Sequence, residues 1–185
     1  LDLAHPSEGR LTLIYADPRR FGFMDLFQDQ ASSPYLAGLG PEPLSNAFNA
    51  DEMAARFRGK QAPMKAALLD QRVVAGLGNI YVSEALHRAH ILPTRAAGTL
   101  VLKSGAPSKR LDLLADGVRV VLNEAIEAGG STLRDYVHGQ GKPGRYQLRY
   151  YVYGRAGERC RVCGGSVRSH YLGQRNTFWC PGCQK

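Results

Sequence analysis

Two cysteine pairs, Cys160-x2-Cys163 and Cys180-x2-Cys183, stand sixteen residues apart within the last 26 residues of the chain. No other feature constrains the fold as strongly. Two residues between cysteines form a tight turn that aims both thiolates at one point, and two such knuckles complete a tetrahedron of sulfurs around Zn²⁺. Gly164-Gly165 and Pro181-Gly182 supply backbone suited to those turns. Two disulfides are the competing reading, but the sequence shows no secretory signal to favour them. Four cysteines close a coordination shell, so the expected cofactor is one structural Zn²⁺ on Cys160, Cys163, Cys180 and Cys183. Between the knuckles, residues 167–171 and 177–179 read as short strands joined by residues 172–176, with Arg175 at the tip of the hairpin. So small a stretch cannot fold on core burial alone, and metal is expected to supply its stability. Arg175 reads as a phosphate contact, against the plainer reading of a surface arginine.

Charge singles out the same end. The net charge is +8, yet residues 1–133 hold 14 basic and 14 acidic side chains, while residues 134–185 hold 10 and 2. A neutral body with one basic end points to a polyanionic partner, although a solvated basic surface gives the same count. Zinc on four thiolates lowers the charge by only two. Hydrophobic residues at 44% and charged residues at 22% are ordinary for a globular protein, and 21 glycines with 10 prolines make it loop-rich. No apolar run approaches the ~18 residues of a membrane helix, so a soluble cytoplasmic protein is expected.

Along the chain, residues 1–27 alternate as β structure, with Leu11, Leu13, Tyr15, Phe21 and Phe23 on the apolar positions. Asp17-Pro18 marks the corner of a hairpin over residues 17–20, and residues 28–48 read as a linker rich in proline and glycine. Asn49 with Glu52 three residues on predicts a capped helix start, and Pro63 opens a second helix over residues 64–69. Asn79 is expected to cap a helix over residues 80–89. The longest helix spans residues 108–128, with Leu111, Leu114, Val118, Val121 and Ala125 on one face and Gly129-Gly130 at its end. Residues 131–145 read as a mobile loop and residues 146–153 as a strand leading into the metal unit.

Gly76-Leu77-Gly78-Asn79 lacks the third glycine and the later acidic residue of a dinucleotide fingerprint. It suits instead a turn whose backbone grips a phosphate at a helix N-terminus, or a simple interhelix turn. Arg19-Arg20-Phe21 at the hairpin corner is either a solvated corner or, in a DNA-binding protein, an arginine and an aromatic that enter the duplex.

Taken together these segments resemble the formamidopyrimidine-DNA glycosylases, which excise oxidised purines such as 8-oxoguanine. The resemblance rests on Asp17-Pro18-Arg19-Arg20-Phe21-Gly22, Leu39-Gly40-Pro41-Glu42-Pro43-Leu44, Leu68-Leu69-Asp70-Gln71, Gly76-Leu77-Gly78-Asn79-Ile80-Tyr81, Gly129-Gly130-Ser131-Thr132, Val152-Tyr153-Gly154-Arg155 and the tail from Gln174 to Gln184. Each is weak alone; in family order over nearly the whole chain they are specific. The related endonuclease VIII-like enzymes share the helices and zinc finger. They usually lack the Asn-Ile-Tyr continuation and the Gly-Gly-Ser-Thr loop.

The resemblance implies an α+β fold: the end of an N-terminal β-sandwich (residues 1–45), a helix–two-turn–helix DNA-binding domain with a lesion loop (46–145) and a four-cysteine zinc-finger β-hairpin (146–185). DNA lies in the cleft of such a protein. It also implies roles. Arg19 faces the orphaned cytosine and Phe21 wedges beside it. Lys60, Lys65, Asn79 and Tyr153 grip the backbone near the lesion. The loop from Ser131 to Gly144, with Thr132, Arg134, Tyr136 and Lys142, folds over the extruded base. Arg175 grips phosphates and donates a proton in the final δ-elimination. The implied partner is duplex DNA bearing an oxidised purine or an abasic site, bound by a protein that is a monomer when full length.

The departure lies at the other end. The family nucleophile is the secondary amine of an N-terminal proline followed by a glutamate, whereas this chain begins Leu1-Asp2-Leu3 and Pro6 is internal. A fragment of a bifunctional glycosylase and AP lyase is expected, binding DNA but inactive alone. The alternative is a non-catalytic, zinc-dependent module that binds damaged DNA. The five histidines show no metal-ligand spacing and read as surface or core residues.

Overall fold

Asn49 begins the helical part of the molecule as its sequence requires: its side chain accepts a hydrogen bond from Glu52 N at 2.9 Å. That satisfies one of the otherwise unpaired amides of the first turn of helix α1, Ala50–Phe57. A computed structural model of the chain describes residues 1–17, 20–29, 32–131 and 144–185. Three further helices follow: α2 (Met64–Leu69), α3 (Asn79–Arg88) and α4 (Lys109–Glu127). Met53, Phe57, Met64, Leu68, Val82, Leu86, Leu111, Leu114, Val118 and Val121 meet in one core with Phe48, Ile91 and Tyr146. Burying each large side chain is worth about 1.5–3 kcal/mol, so this cluster supplies most of the apolar stabilisation. Gly117 on α4 faces α3: a Cβ there would stand 3.4 Å from the Ala85 carbonyl oxygen, an ordinary contact distance.

The structure divides into two units, Leu1–Ala37 and Gly38–Lys185. In the first, β1 (Asp2–His5) and β2 (Gly9–Thr12) pair antiparallel, with Leu3 opposite Leu11. The expected β structure over residues 1–27 stops at Thr12: past it no further strand occurs among the described residues of this unit. Leu13, Tyr15, Phe21 and Phe23 are all exposed, and Phe23 packs on Tyr35 with ring centres 4.3 Å apart, so among the described residues the alternation buries no continuous apolar face. Near residue 17, Arg20 N donates to Asp17 O, and Gly22 N to the Asp17 carboxylate at 2.6 Å, but no strands flank this point among the described residues, so the expected hairpin is not seen there.

In the second unit, residues 38–48 dock on the helices. Gly40 N donates to Gln71 O at 2.8 Å, and Ala75 N to Pro41 O. The expected strand over residues 146–153 is instead a 3-10 turn, Tyr146–Arg149, followed by a strap. Its apparent alternation comes from Tyr146 and Tyr150, four apart and both buried, with Leu148 exposed between them. The hairpin comprises β3 (Arg168–Leu172) and β4 (Arg175–Trp179), paired from Arg168 with Trp179 to Leu172 with Arg175. Its turn is therefore Gly173-Gln174, tighter than the five residues expected, and Gly173 takes φ +62°, which favours glycine. Arg175 opens a strand and does not sit at a loop tip.

Candidate nucleic-acid interface and metal centre

The four cysteines are free thiols and converge. Their sulfurs all lie within 4.8 Å of one another, with Cys163 and Cys180 at 3.4 Å and Cys160 and Cys183 at 3.8 Å. A tetrahedron with metal–sulfur bonds of about 2.3 Å spaces its sulfurs by about 3.8 Å, so the cluster fits one soft divalent ion and not two disulfides. Each knuckle is a backbone turn: Gly164 N donates to Cys160 O, and Gln184 N to Cys180 O, both at 2.9 Å. Gly182 is required by space, because a Cβ there would come within 2.9 Å of the Cys163 sulfur. Gln184, itself buried, ties the second knuckle to the helical core: it accepts from Cys180 N at 2.8 Å and donates to Ile91 O at 2.9 Å.

The knuckles carry the hairpin to the helices. Val152, Val167 and Phe178 pack with Cys160 and Cys180 in a small second core, and Tyr153 touches both cores. At the turn end, Lys65 Nζ donates to Asn176 O at 2.8 Å and to Thr177 Oγ1 at 2.7 Å, and Asn79 Nδ2 donates to the same Asn176 carbonyl at 3.1 Å. Asn79 is thus not the cap of α3; Gly78 holds that position, and a tertiary partner has claimed the Asn79 side chain. Lys65 is 1% exposed, and burial, together with the Arg175 charge, lowers its pKa to about 8. A groove of about 570 Å³ runs between α2 and the hairpin turn, lined by Lys65, Leu69, Asp70, Gln174 and Arg175. Two cations, Lys65 and Arg175, and one carboxylate, Asp70, line this groove, so its charged lining is positive on balance and suits an anion. Lys60 stands beyond Asp70, whose carboxyl is held below its usual range by Arg72 and, more weakly, by Lys60.

Glu84 escaped the sequence reading. It is fully buried on α3, and its two carboxylate oxygens accept from three consecutive amides, Tyr151, Val152 and Tyr153, at 2.8, 3.0 and 2.8 Å. Burial pushes its carboxyl pKa up, while the three N–H donors and Arg88 pull it back. One signal was available: a glutamate and a histidine, Glu84 and His87, interrupt the run Val82, Ala85, Leu86 of a buried helix face. His87 is likewise buried. It stacks on Tyr151 with ring centres 5.4 Å apart, and its Nε2 lies 3.7 Å from the Cys160 sulfur. Burial drives its pKa down to about 4.

The structure therefore brings Lys65, Asn79 and Arg175 together. The Tyr153 ring packs edge-on against Phe178 and Tyr150. Phe21 is 82% exposed in the other unit. Arg19, Thr132, Arg134, Tyr136 and Lys142 lie outside the described residues. Ser131 bridges to Arg145, and Tyr146 N donates to Gly130 O at 3.0 Å, so the described residues 130–131 and 145–146 lie side by side.

Comparison with known proteins agrees with this geometry. A family model described as the formamidopyrimidine-DNA glycosylase H2TH domain matches residues 39–137. The formamidopyrimidine-DNA glycosylase of Rhodopseudomonas palustris strain BisA53 is 53% identical over 178 residues, covering 94% of this chain and 61% of that protein. That of Nitrobacter winogradskyi is 51% identical over 179 residues, 95% and 61% of the two chains. The chain spans about three fifths of the length of these relatives. Among solved structures, MutM (Fpg) from Thermus thermophilus superposes with a TM-score of 0.79 at 44% identity, over 91% of this chain and 62% of the other. Lactococcus lactis Fpg in complex with abasic-site DNA gives 0.80 at 36% identity, over 97% and 64%.

Proposed function

The chain belongs to the formamidopyrimidine-DNA glycosylase family, and from that membership we propose that its 185 residues form the DNA-gripping part of a base-excision enzyme. The lesions are oxidised purines, 8-oxoguanine and formamidopyrimidines, in duplex DNA. One observation carries the reading: Lys65 and Arg175, two cations from separate elements, line one groove beside Asn79. The L. lactis Fpg structures hold abasic-site DNA and Fapy-dG-containing DNA, and the same partner chemistry suits this groove.

In this reading residues 1–45 are the end of a β-sandwich, residues 46–145 the helix–two-turn–helix domain and residues 146–185 the zinc finger. The ion is a single structural Zn²⁺, which shapes the hairpin and takes no part in chemistry. Lys60, Lys65, Asn79, Tyr153 and Arg175 hold the phosphates. These contacts supply affinity irrespective of sequence. Arg19 and Phe21 fill the gap opposite the lesion, and Ser131, Thr132, Arg134, Tyr136 and Lys142 cover the extruded base. Extrusion costs a few kcal/mol, which binding on both sides of the lesion must offset. In the family chemistry a proline amine attacks the sugar C1′, displaces the base, and forms a Schiff base that leads to strand cleavage. Arg175 then acts as proton donor in δ-elimination. The 185 residues carry the grips and not that amine, since the nitrogen of Pro6 is in a peptide bond.

A stand-alone DNA-binding module is the second reading. It is favoured by the presence of Lys65, Asn79, Arg175 and all four cysteines within the single unit Gly38–Lys185. A duplex containing a tetrahydrofuran abasic-site analogue tests the common ground: the chain is expected to bind it more tightly than undamaged duplex, and equal affinity would contradict damage recognition. Borohydride trapping on an 8-oxoguanine duplex then bears on the chemistry. No adduct is expected from the 185 residues, and an adduct would show that they hold a competent nucleophile.

A further inference from the structure

Helix α3 touches the hairpin, the strap and the first cysteine knuckle. Its first residue, Asn79, reaches the hairpin at Asn176; its second turn presents Glu84 to the strap; its third places His87 against Tyr151 and the Cys160 knuckle. The middle contact is the strongest of the three. Three consecutive N–H groups aimed at one buried carboxylate form an anion nest, and charge-assisted bonds at 2.8, 3.0 and 2.8 Å offset part of the cost of burying the charge.

What the strap carries makes the contact matter. Val152 belongs to the core formed with Cys160, Cys180 and Phe178, and the Tyr153 ring lies 5.0 Å from that of Phe178. Phe178 is a β4 residue, and β4 begins with Arg175 and Asn176. A slip of the strap along α3 therefore shifts Arg175 relative to Lys65 and Asn79. We propose that Glu84 is a positioning residue: by fixing residues 151–153 on α3, its carboxylate sets the separation between the helix-borne grips and Arg175, so that they hold phosphates together. The role rests on the DNA-binding reading above and goes beyond it, because Glu84 is fully buried and acts only through the strap.

Glu84→Gln tests this at constant side-chain size. The amide offers one acceptor oxygen and turns two donors toward a row of donors, so at least one strap amide loses its partner. Glu84→Asp keeps the charge and retracts it by one methylene. Binding of the wild type, both variants, Arg175→Ala and the Glu84→Gln/Arg175→Ala double variant to the tetrahydrofuran duplex is followed over a salt series. Zinc content and the active fraction from stoichiometric titration are measured alongside.

With zinc and active fraction intact, Glu84→Gln is expected to weaken binding roughly tenfold and to lower the log–log salt slope by about one unit. Glu84→Asp should recover part of both. Arg175→Ala should cost less in the Glu84→Gln background than in wild type, since the contact it removes is already impaired. Unchanged slopes in both variants with additive costs would overturn the role of Glu84, as would weakening explained entirely by a reduced active fraction. If Glu84→Gln fails to fold, the Glu84→Asp slope decides alone. Failure of the wild type to bind the duplex would overturn the DNA-binding reading itself and is thereby distinguished from failure of this one.

Discussion

Lys65 keeps a charge where the fold would prefer none. Its ammonium is buried between the Asn176 carbonyl and the Thr177 hydroxyl with a guanidinium nearby, and its pKa falls to about 8. The unfolded value is near 10.4. Between these values the unfolded chain binds more protons than the folded one, so stability should rise as pH climbs from about 8 toward 10. A bound phosphate favours the charged form, so DNA affinity should move the other way and fall between about pH 7 and 9. Anisotropy titrations across that range check the prediction, with Lys65→Met expected to bind more weakly and with little pH dependence. A wild-type affinity that stays flat across the range would contradict it. At this scale residue types were legible and partners were not. Asn79 could be singled out by motif and Lys65 through the family resemblance, but their common acceptor is a main-chain carbonyl about a hundred residues away, and no local pattern announces it. Glu84 is the stronger case, because all three of its strap partners are backbone amides.

The hairpin, the knuckles and the strap form an element that does not stand by itself. Its own core is Val152, Val167 and Phe178 with two cysteines, too little apolar area to offset the entropy of ordering it. Removing the metal with a chelator should therefore release residues from about Arg159 onward and abolish duplex binding, while α1 to α4, with their separate core, persist. Far-UV circular dichroism that keeps its helical signal alongside lost binding is the expected pair of results; retained affinity in metal-free protein would show the finger to be dispensable. Elements set by local geometry were readable in advance: the C-x2-C knuckles, the Asn49 cap and the stripe along α4. Those whose alternation had another cause were not. Tyr146 and Tyr150 alternate because they pack against the helical core, and the segment around Leu13 and Tyr15 alternates with nothing described to cover it.

For the whole molecule, the charge split acquires a location. The excess of +8 lies in residues 134–185, and the hairpin that carries Arg175 belongs to that stretch. Net charge missed the other half of the groove, because Lys65 and Asn79 sit in a body whose charges cancel. Placed side chains and bulk charge are different quantities, and the proposed site joins them where Lys65 and Asn79 share the Asn176 carbonyl beside Arg175. The chain is neutral over residues 1–133, so a phosphate-gripping account predicts a salt dependence that follows individual side chains and not the overall charge. The most direct measurement is the slope of log Kd against log salt for the tetrahydrofuran duplex, with wild type compared to Arg175→Ala. Arg175→Ala should bind damaged and intact duplex alike more weakly, with a slope smaller by about one unit, the signature of one lost phosphate contact. An Arg175→Ala protein with the wild-type slope would contradict that contact.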